Sequence, residues 1–215
     1  MRFIEVLCEG TSDVPAIREV LTRRFKLKEG ENFRIHPHRG KGKLPAIDTC
    51  LQKPSTGDET LLSQLPIKLK NMGRQTQGGF EVAVIVVVDA DDEDCKELKK
   101  KLLDVYDVIP TKPKSVLFRI AVEETESWFI ADTNAVRKAY SKATIANLKN
   151  INPDAICGAW ERLAECLGYD VTDSRGREKV EWATTISPHL ELNSPKSPSL
   201  AALIIGIERI LQAGT

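Results

Sequence analysis

The sequence predicts an α/β protein: a mainly parallel central sheet flanked by helices, with a C-terminal helical extension. Three observations carry this reading. Residues 82–88, Val-Ala-Val-Ile-Val-Val-Val, form an unbroken apolar run dominated by β-branched side chains, as in a strand buried on both faces of a parallel sheet. Strand-like and helix-like segments alternate up to residue 132, the pattern of parallel strands joined by right-handed crossovers. From about residue 133 onward the strand signals fade and helical spacing takes over. The expected organisation is therefore a core over 1–132 and a helical extension over 133–215 packed on it.

The elements follow in order. Residues 2–8, with Phe3, Ile4, Val6 and Leu7, read as a strand, broken at Glu9-Gly10-Thr11-Ser12-Asp13. Val14-Pro15 then opens a helix, since Pro is favoured in a first turn, and Ile17, Val20, Leu21 and Phe25 keep helical spacing. Phe33–His36 is a second strand, running into the basic glycine loop His38-Arg39-Gly40-Lys41-Gly42-Lys43-Leu44. Lys53–Asp58 is a turn region. Leu61, Leu62, Leu65, Ile67, Leu69 and Met72 predict helix on either side of Pro66, and Gln75–Gly79 a loop before the central strand. Lys96–Tyr106 is a helix and Ser115–Val122 a strand that leads into the acidic, then helical, segment Glu123–Asp132. Asn134–Tyr140, Pro153–Leu167 and Glu178–Ile186 are helical, and Ser197-Pro198 opens a last helix as N-cap and first residue.

Composition removes several classes. Of 215 residues, 29% are charged and 41% hydrophobic, ordinary for a globular protein. Lys plus Arg and Asp plus Glu number 31 each, so any contact with nucleic acid must come from a local basic patch rather than a global field. No apolar run approaches the roughly 20 residues that span a bilayer, so no membrane partner is expected. The N-terminal segment turns acidic too soon for a signal peptide. Cys8, Cys50, Cys95, Cys157 and Cys166 show no C-x-x-C spacing, which argues for reduced thiols in a cytoplasm rather than disulfides or a zinc site.

Candidate chemistry lies at strand ends, where open α/β sheets bind ligands. Glu9 follows the first strand, Asp89 and Asp91 the third, and Glu123-Glu124-x-Glu126 the fourth. Parallel, adjacent strands would bring these acids to one edge. Crowded carboxylates repel unless raised pKa values or a cation relieve them, and Mg²⁺ (or Mn²⁺) held by a few carboxylates and water is the simplest relief. Asp89 and Asp91, two positions apart, can face one ion if the chain stays extended. Asp13, Asp92 and Glu126 are further candidate ligands. Arg39, Lys41, Lys43 and His36 offer a phosphate or nucleic-acid contact, with glycines that admit close backbone approach. A carboxylate-held metal beside a basic loop suits phosphodiester cleavage of DNA or RNA. Other roles compete. Asp13 also reads as a helix cap, and Asp92, Glu93 and Asp94, Glu93 foremost, suit the positive N-terminus of the next helix. Trp128 reads as core, and Lys179 and His189 as isolated residues of the tail without a functional role.

Glu9-Gly10 and Asp89-Ala90-Asp91 resemble the pattern of the toprim group, the metal-binding domains shared by primases, topoisomerases and old-type nucleases. More closely, Glu9–Asp13, Arg39–Lys43, Asp89–Asp92, Glu126–Asp132 and Ser197–Ser199 resemble, in order and over nearly the full length, a small stand-alone prokaryotic toprim-like family. The resemblance implies a toprim-like fold with Glu9 as general acid/base or metal ligand, and with Asp89 and Asp91 as metal ligands. It also implies a Mg²⁺-dependent nuclease in a defence or repair system, acting with an old-type or SMC-like partner ATPase from a neighbouring gene. The helical tail has no second acidic cluster of the kind that a two-metal mechanism needs. Two other functions fit the sequence: a non-catalytic regulatory or docking subunit of such an ATPase, and another metal-phosphate enzyme, since haloacid-dehalogenase-type phosphatases also end a strand in Asp-x-Asp.

Overall fold

The computed structural model describes residues 2–77, 81–91, 93–121, 124–148, 151–153, 158–174 and 178–213. Four strands, β1 (Phe3–Cys8), β2 (Phe33–Pro37), β3 (Val82–Asp89) and β4 (Ser115–Ala121), form one sheet in the order β2-β1-β3-β4. Every neighbouring pair is parallel; Leu7 lies opposite Val86, and Asp89 opposite Ala121. All four strands therefore run out at the same edge, as the alternation of elements requires. No helix among the described residues is long and apolar enough to cross a membrane. Cys8, Cys50, Cys95 and Cys166 are free thiols, and Cys157 lies outside the described residues.

The unbroken apolar run of β3 follows from two cores. Ala83, Ile85 and Val87 point into one, which they share with α1 (Asp13–Glu19), α4 (Glu126–Ala131), α5 (Thr133–Ala139), α6 (Ala159–Leu167), α8 (Lys179–Ile186) and α9 (Pro198–Gln212). Val82, Val84, Val86 and Val88 point into the other, beneath α2 (Leu61–Gln77) and α3 (Cys95–Val108). Successive strand side chains face opposite sides, so both faces are dry and neither register tolerates a polar residue. Each such side chain contributes about 1.5–3 kcal/mol by leaving water. The helices after residue 132 thus share one layer over the sheet with α1 and α4, and a short α7 (Val171–Ser174) follows α6.

Two motifs of the sequence join this layer together. Trp128, 2% exposed, donates its indole N–H to Ser199 Oγ at 2.9 Å. Ser199 in turn lies 3.0 Å from Ser197 Oγ, which caps α9 by accepting from Leu200 N. Pro198 occupies the first position of that helix, as expected. Trp128 is core, also as expected.

Three local expectations are corrected. A single helix α2 runs through Pro66, although Pro lacks the N–H that an interior position needs. Leu61, Leu62, Leu65, Leu69 and Met72 make one continuous buried stripe, and its burial outweighs the lost bond. The same helix continues over Gln75–Gln77, where a loop was expected; Gly78 and Gly79 lie outside the described residues. The helix after β1 ends in a π-helical turn over Val20–Arg24, a variant that apolar spacing does not register.

Gly73 lets α2 approach the segment before β4. An added Cβ there would lie 2.6 Å from Lys112 Cα and 2.6 Å from Thr111 O, both backbone atoms. Ala would add about 1 kcal/mol of helix propensity, but overpacking against backbone costs more. Gly73→Ala is therefore expected to lower stability by about 2 kcal/mol, read from the urea unfolding midpoint; an equal or higher midpoint would overturn this account.

Candidate functional site

The site is assembled where β1, β3 and β4 end. Glu9 follows β1 directly, and its Oε1 accepts a hydrogen bond from Asp89 N at 2.7 Å. This bond closes the gap between two strand ends that are 80 residues apart in sequence. Asp13, 4% exposed, is the first residue of α1. Its Oδ2 accepts from Gly10 N at 2.9 Å and its Oδ1 from Thr125 Oγ1 at 2.9 Å. Asp13 thus ties the β1 exit to the β4 exit rather than capping its own helix; Ser12 occupies the cap position, without a side-chain bond.

The β4 exit contributes Glu124 and Glu126. Glu126 is 1% exposed, and neither of its carboxylate oxygens has a hydrogen-bond partner among the described residues. Its close counter-charge is Lys179, whose Nζ lies 3.2 Å from Glu126 Oε1 and donates to Glu124 Oε1 at 3.0 Å. Glu124 Oε2 accepts from Trp160 N at 3.1 Å. The tail expectation is thereby corrected: Lys179 is an integral part of the acidic cluster, brought there because α8 packs on α1. Its sequence neighbourhood carries no signal of this. Glu123 and Asp92 lie outside the described residues.

Burial and mutual repulsion set the electrostatics. Burial, with Asp13 and Asp91 nearby, outweighs the Asp89 N–H bond and raises the Glu9 carboxyl to about 7. Glu126 is also raised to about 7, chiefly by burial, against the pull of Lys179. Asp89 is raised well above the usual carboxylate range by burial and by Asp13, Glu9 and Glu126. Asp13 is raised by burial. Lys179 is largely buried, which disfavours its charge, yet Glu126 and Glu124 more than compensate and hold it protonated.

Asp91 takes a different course from Asp89. The chain does not stay extended: Asp91 has φ +49°, in the left-handed region. Its side chain is 53% exposed and sits 3.1 Å from Lys41 Nζ. The extended Asp89-x-Asp91 geometry expected from the spacing is therefore absent. Among the described residues, no three His, Cys, Asp or Glu side chains form a ready-made metal cage. The helix N-terminus falls to Asp94, whose Oδ1 accepts from Lys96 N and Glu97 N, while Glu93, the expected contributor, pairs with Lys41 and Lys101.

The basic loop is docked onto the acids by its backbone. Gly40 N donates to Glu9 O at 2.9 Å, and the carbonyls of Gly40 and Lys41 accept from Leu61 N and Leu62 N, two of the otherwise unpaired donors that open α2. Gly40 and Gly42 have φ +90° and +69°, which favours glycine. Of the four basic candidates, Lys41 reaches the site, donating to Ala90 O at 2.8 Å and to Asp91 Oδ2. Arg39 pairs on the surface with Glu59, and Lys43 is exposed. His36 does not face the acids: its Nε2 lies 2.6 Å from Glu5 Oε2, a carboxylate on β1 beneath α2.

Two outcomes follow from the electrostatics. The unfolded chain loses the Glu9 and Glu126 protons near pH 4.5, whereas the fold retains them to about pH 7. The folded state then binds more protons over that window, so stability of the metal-free protein falls as pH rises through it. Thermal melts in EDTA should give a higher Tm at pH 5.5 than at pH 7.5, with a flatter profile for Glu126→Gln. Separately, Lys179→Met should destabilise by about 3–5 kcal/mol, because it leaves buried carboxylates uncompensated; Lys179→Met combined with Glu126→Gln should recover part of that loss in urea unfolding.

Comparison with known proteins places the fold. No curated protein matches the chain. In fold it is similar to the C-terminal region of the OLD protein of Xanthomonas campestris pv. campestris, with TM-score 0.53 and 12% identity, over 100% of this chain and 98% of that one. It is likewise similar to the C-terminal region of the Burkholderia pseudomallei OLD protein, with TM-score 0.53 and 13% identity, over 95% and 97% of the two chains. Residues 8–208 match the model of DUF4276, a domain of unknown function, and the chain belongs to that family.

Proposed function

We propose that this protein is a Mg²⁺- or Mn²⁺-dependent nuclease of the toprim type, cutting phosphodiester bonds of DNA or RNA as the effector of an ATPase-linked defence or repair system. The observation that carries the reading is the Glu9–Asp89 N–H bond, which holds a carboxyl raised to about 7 at the shared strand edge. A fold shared with OLD C-terminal regions and the Glu9-Gly10 and Asp89-x-Asp91 motifs support it. The matched structures are C-terminal regions of longer proteins, which suits a domain of this fold that works with another one.

The donor set fits a hard cation: oxygen ligands that repel each other, with a buried Glu126 Oε2 that has no hydrogen-bond partner among the described residues. Mg²⁺ keeps several waters and takes one or two carboxylates. Glu9 and Asp89 would hold it; Asp13 and Glu126 border the same cluster, and Asp91 lies at its edge, paired with Lys41. When bound, the metal would polarise a phosphoryl oxygen and stabilise the leaving oxyanion.

The chain's own groups do the rest. Glu9 has Oε1 fixed by Asp89 N–H, so its Oε2 is the free atom: it either meets the metal or, where Asp89 alone holds the metal, takes or gives a proton near neutral pH. Lys41 sets positive charge at the mouth of the site, 3.1 Å from Asp91, where a phosphate would approach. Lys179 offsets the inner acids and limits how strongly they repel a polyanion.

A docking subunit of a partner ATPase is the second reading, and Lys179 favours it by neutralising Glu124 and Glu126 without any metal. The test is cleavage of single-stranded DNA, duplex DNA and RNA with Mg²⁺, Mn²⁺ or EDTA. Glu9→Gln and Asp89→Asn are expected to lower the metal-dependent rate by about 10²–10⁴ while circular dichroism stays native. Equal cleavage by wild type and both variants would overturn the nuclease reading, as would an inert wild type whose variants still support a reconstituted ATPase complex.

A further inference from the structure

A second cluster of charge lies on the other side of the basic loop, around a cavity of about 400 Å³ between the 53–59 segment and α2. Its lining includes two acids and two lysines, and their commitments differ. Asp58 Oδ1 already accepts from Thr60 N at 3.1 Å and from Thr60 Oγ1 at 2.6 Å. Glu59 Oε2 is paired with Arg39 Nε at 2.8 Å. Arg39 thus offsets the charge of Glu59, whereas Asp58 stays ionised with its Oδ1 turned to Thr60.

The lysines are not spent. Lys68 is partly buried on α2, yet no carboxylate lies within ion-pair distance of it and no acceptor bonds it among the described residues. The acid whose charge it feels is Glu5, and Glu5 is held by His36 at 2.6 Å. Burial therefore works against the Lys68 ammonium, and Glu5, without touching it, offsets only part of that cost, the condition that an anionic ligand relieves. Lys53 is exposed at the rim, and the Ser55 and Thr56 hydroxyls add neutral donors. The volume is within the range of small-molecule sites, about 300–1,000 Å³.

We propose that this cavity is a phosphate-binding site, held by Lys68 and Lys53, that takes the phosphate of a free nucleotide or of a nucleic-acid backbone. It is independent of the nuclease reading, since it shares no residue with the acidic cluster. It is nonetheless adjacent: Glu59 O accepts from Arg39 N at 3.0 Å, and the next residue, Gly40, donates to Glu9 O. An occupant therefore lies one loop away from Glu9.

The test uses the full chain in EDTA, which silences any metal site. Inorganic phosphate, AMP and a short oligonucleotide are titrated by calorimetry into wild type, Lys68→Gln, Lys53→Gln/Lys68→Gln and Glu9→Gln. Saturable binding is expected for wild type and unchanged for Glu9→Gln. Lys68→Gln should weaken it about tenfold, the loss of one charge-assisted hydrogen bond, and the double variant further, with melting curves confirming the fold. Binding of AMP with no gain for the oligonucleotide supports a free-nucleotide ligand; tighter oligonucleotide binding that Lys68→Gln weakens supports a backbone contact. No saturable binding of any of the three to wild type, or equal binding by Lys68→Gln, overturns the proposal.

Discussion

Parallel pairing of β3 with both β1 and β4 is the constraint from which the rest follows. Once three parallel strands lie side by side, their chain exits must share one edge. The residues just beyond those exits are Glu9, Ala90 with Asp91, and the segment leading to Glu126. Sheet geometry alone therefore concentrates negative charge. It also supplies the means of holding it, since a strand end offers an unpaired N–H, and Glu9 takes that of Asp89.

A cluster of this kind is expensive. Desolvated carboxylates that face each other raise one another's pKa, and a fold tolerates them only with protons, cations or hydrogen bonds. Three devices are present. Asp13 is satisfied by Gly10 N and Thr125 Oγ1. Glu124 and Glu126 share Lys179. Glu9 and Glu126 retain protons to near neutrality. Strain kept at one edge while two apolar cores carry the stability is a common arrangement in proteins that do chemistry.

The helical extension belongs to this arrangement rather than to the periphery. Its helices share one layer over the sheet with α1 and α4, and α8 delivers Lys179 to the acids. The Trp128–Ser199 bond fixes the helix that begins at Glu126 against the last helix, so the β4 exit is held from both sides. The motifs Glu-x-Trp and Ser-Pro-Ser are two halves of one tertiary contact, and each is hard to interpret without the other.

Local pattern determined much of this protein. The β3 run, the Asp89 exit, the Ser197 cap with Pro198 and the parallel α/β class were legible, because each rests on neighbours in the chain: β-branching, period, and a side chain reaching an N–H three residues on. Tertiary structure decided the remainder. Pro66 stays inside a helix because a distant core buries its stripe, and Asp91 leaves the extended path because Lys41, fifty residues earlier, holds it. Lys179 joins the acids through the packing of α8 on α1, and His36 turns to Glu5 across a strand pair. Sequence spacing carries interactions of short range; it says nothing of which remote charge will lie within a few ångströms once water has been excluded, and at this site that proximity sets the protonation states.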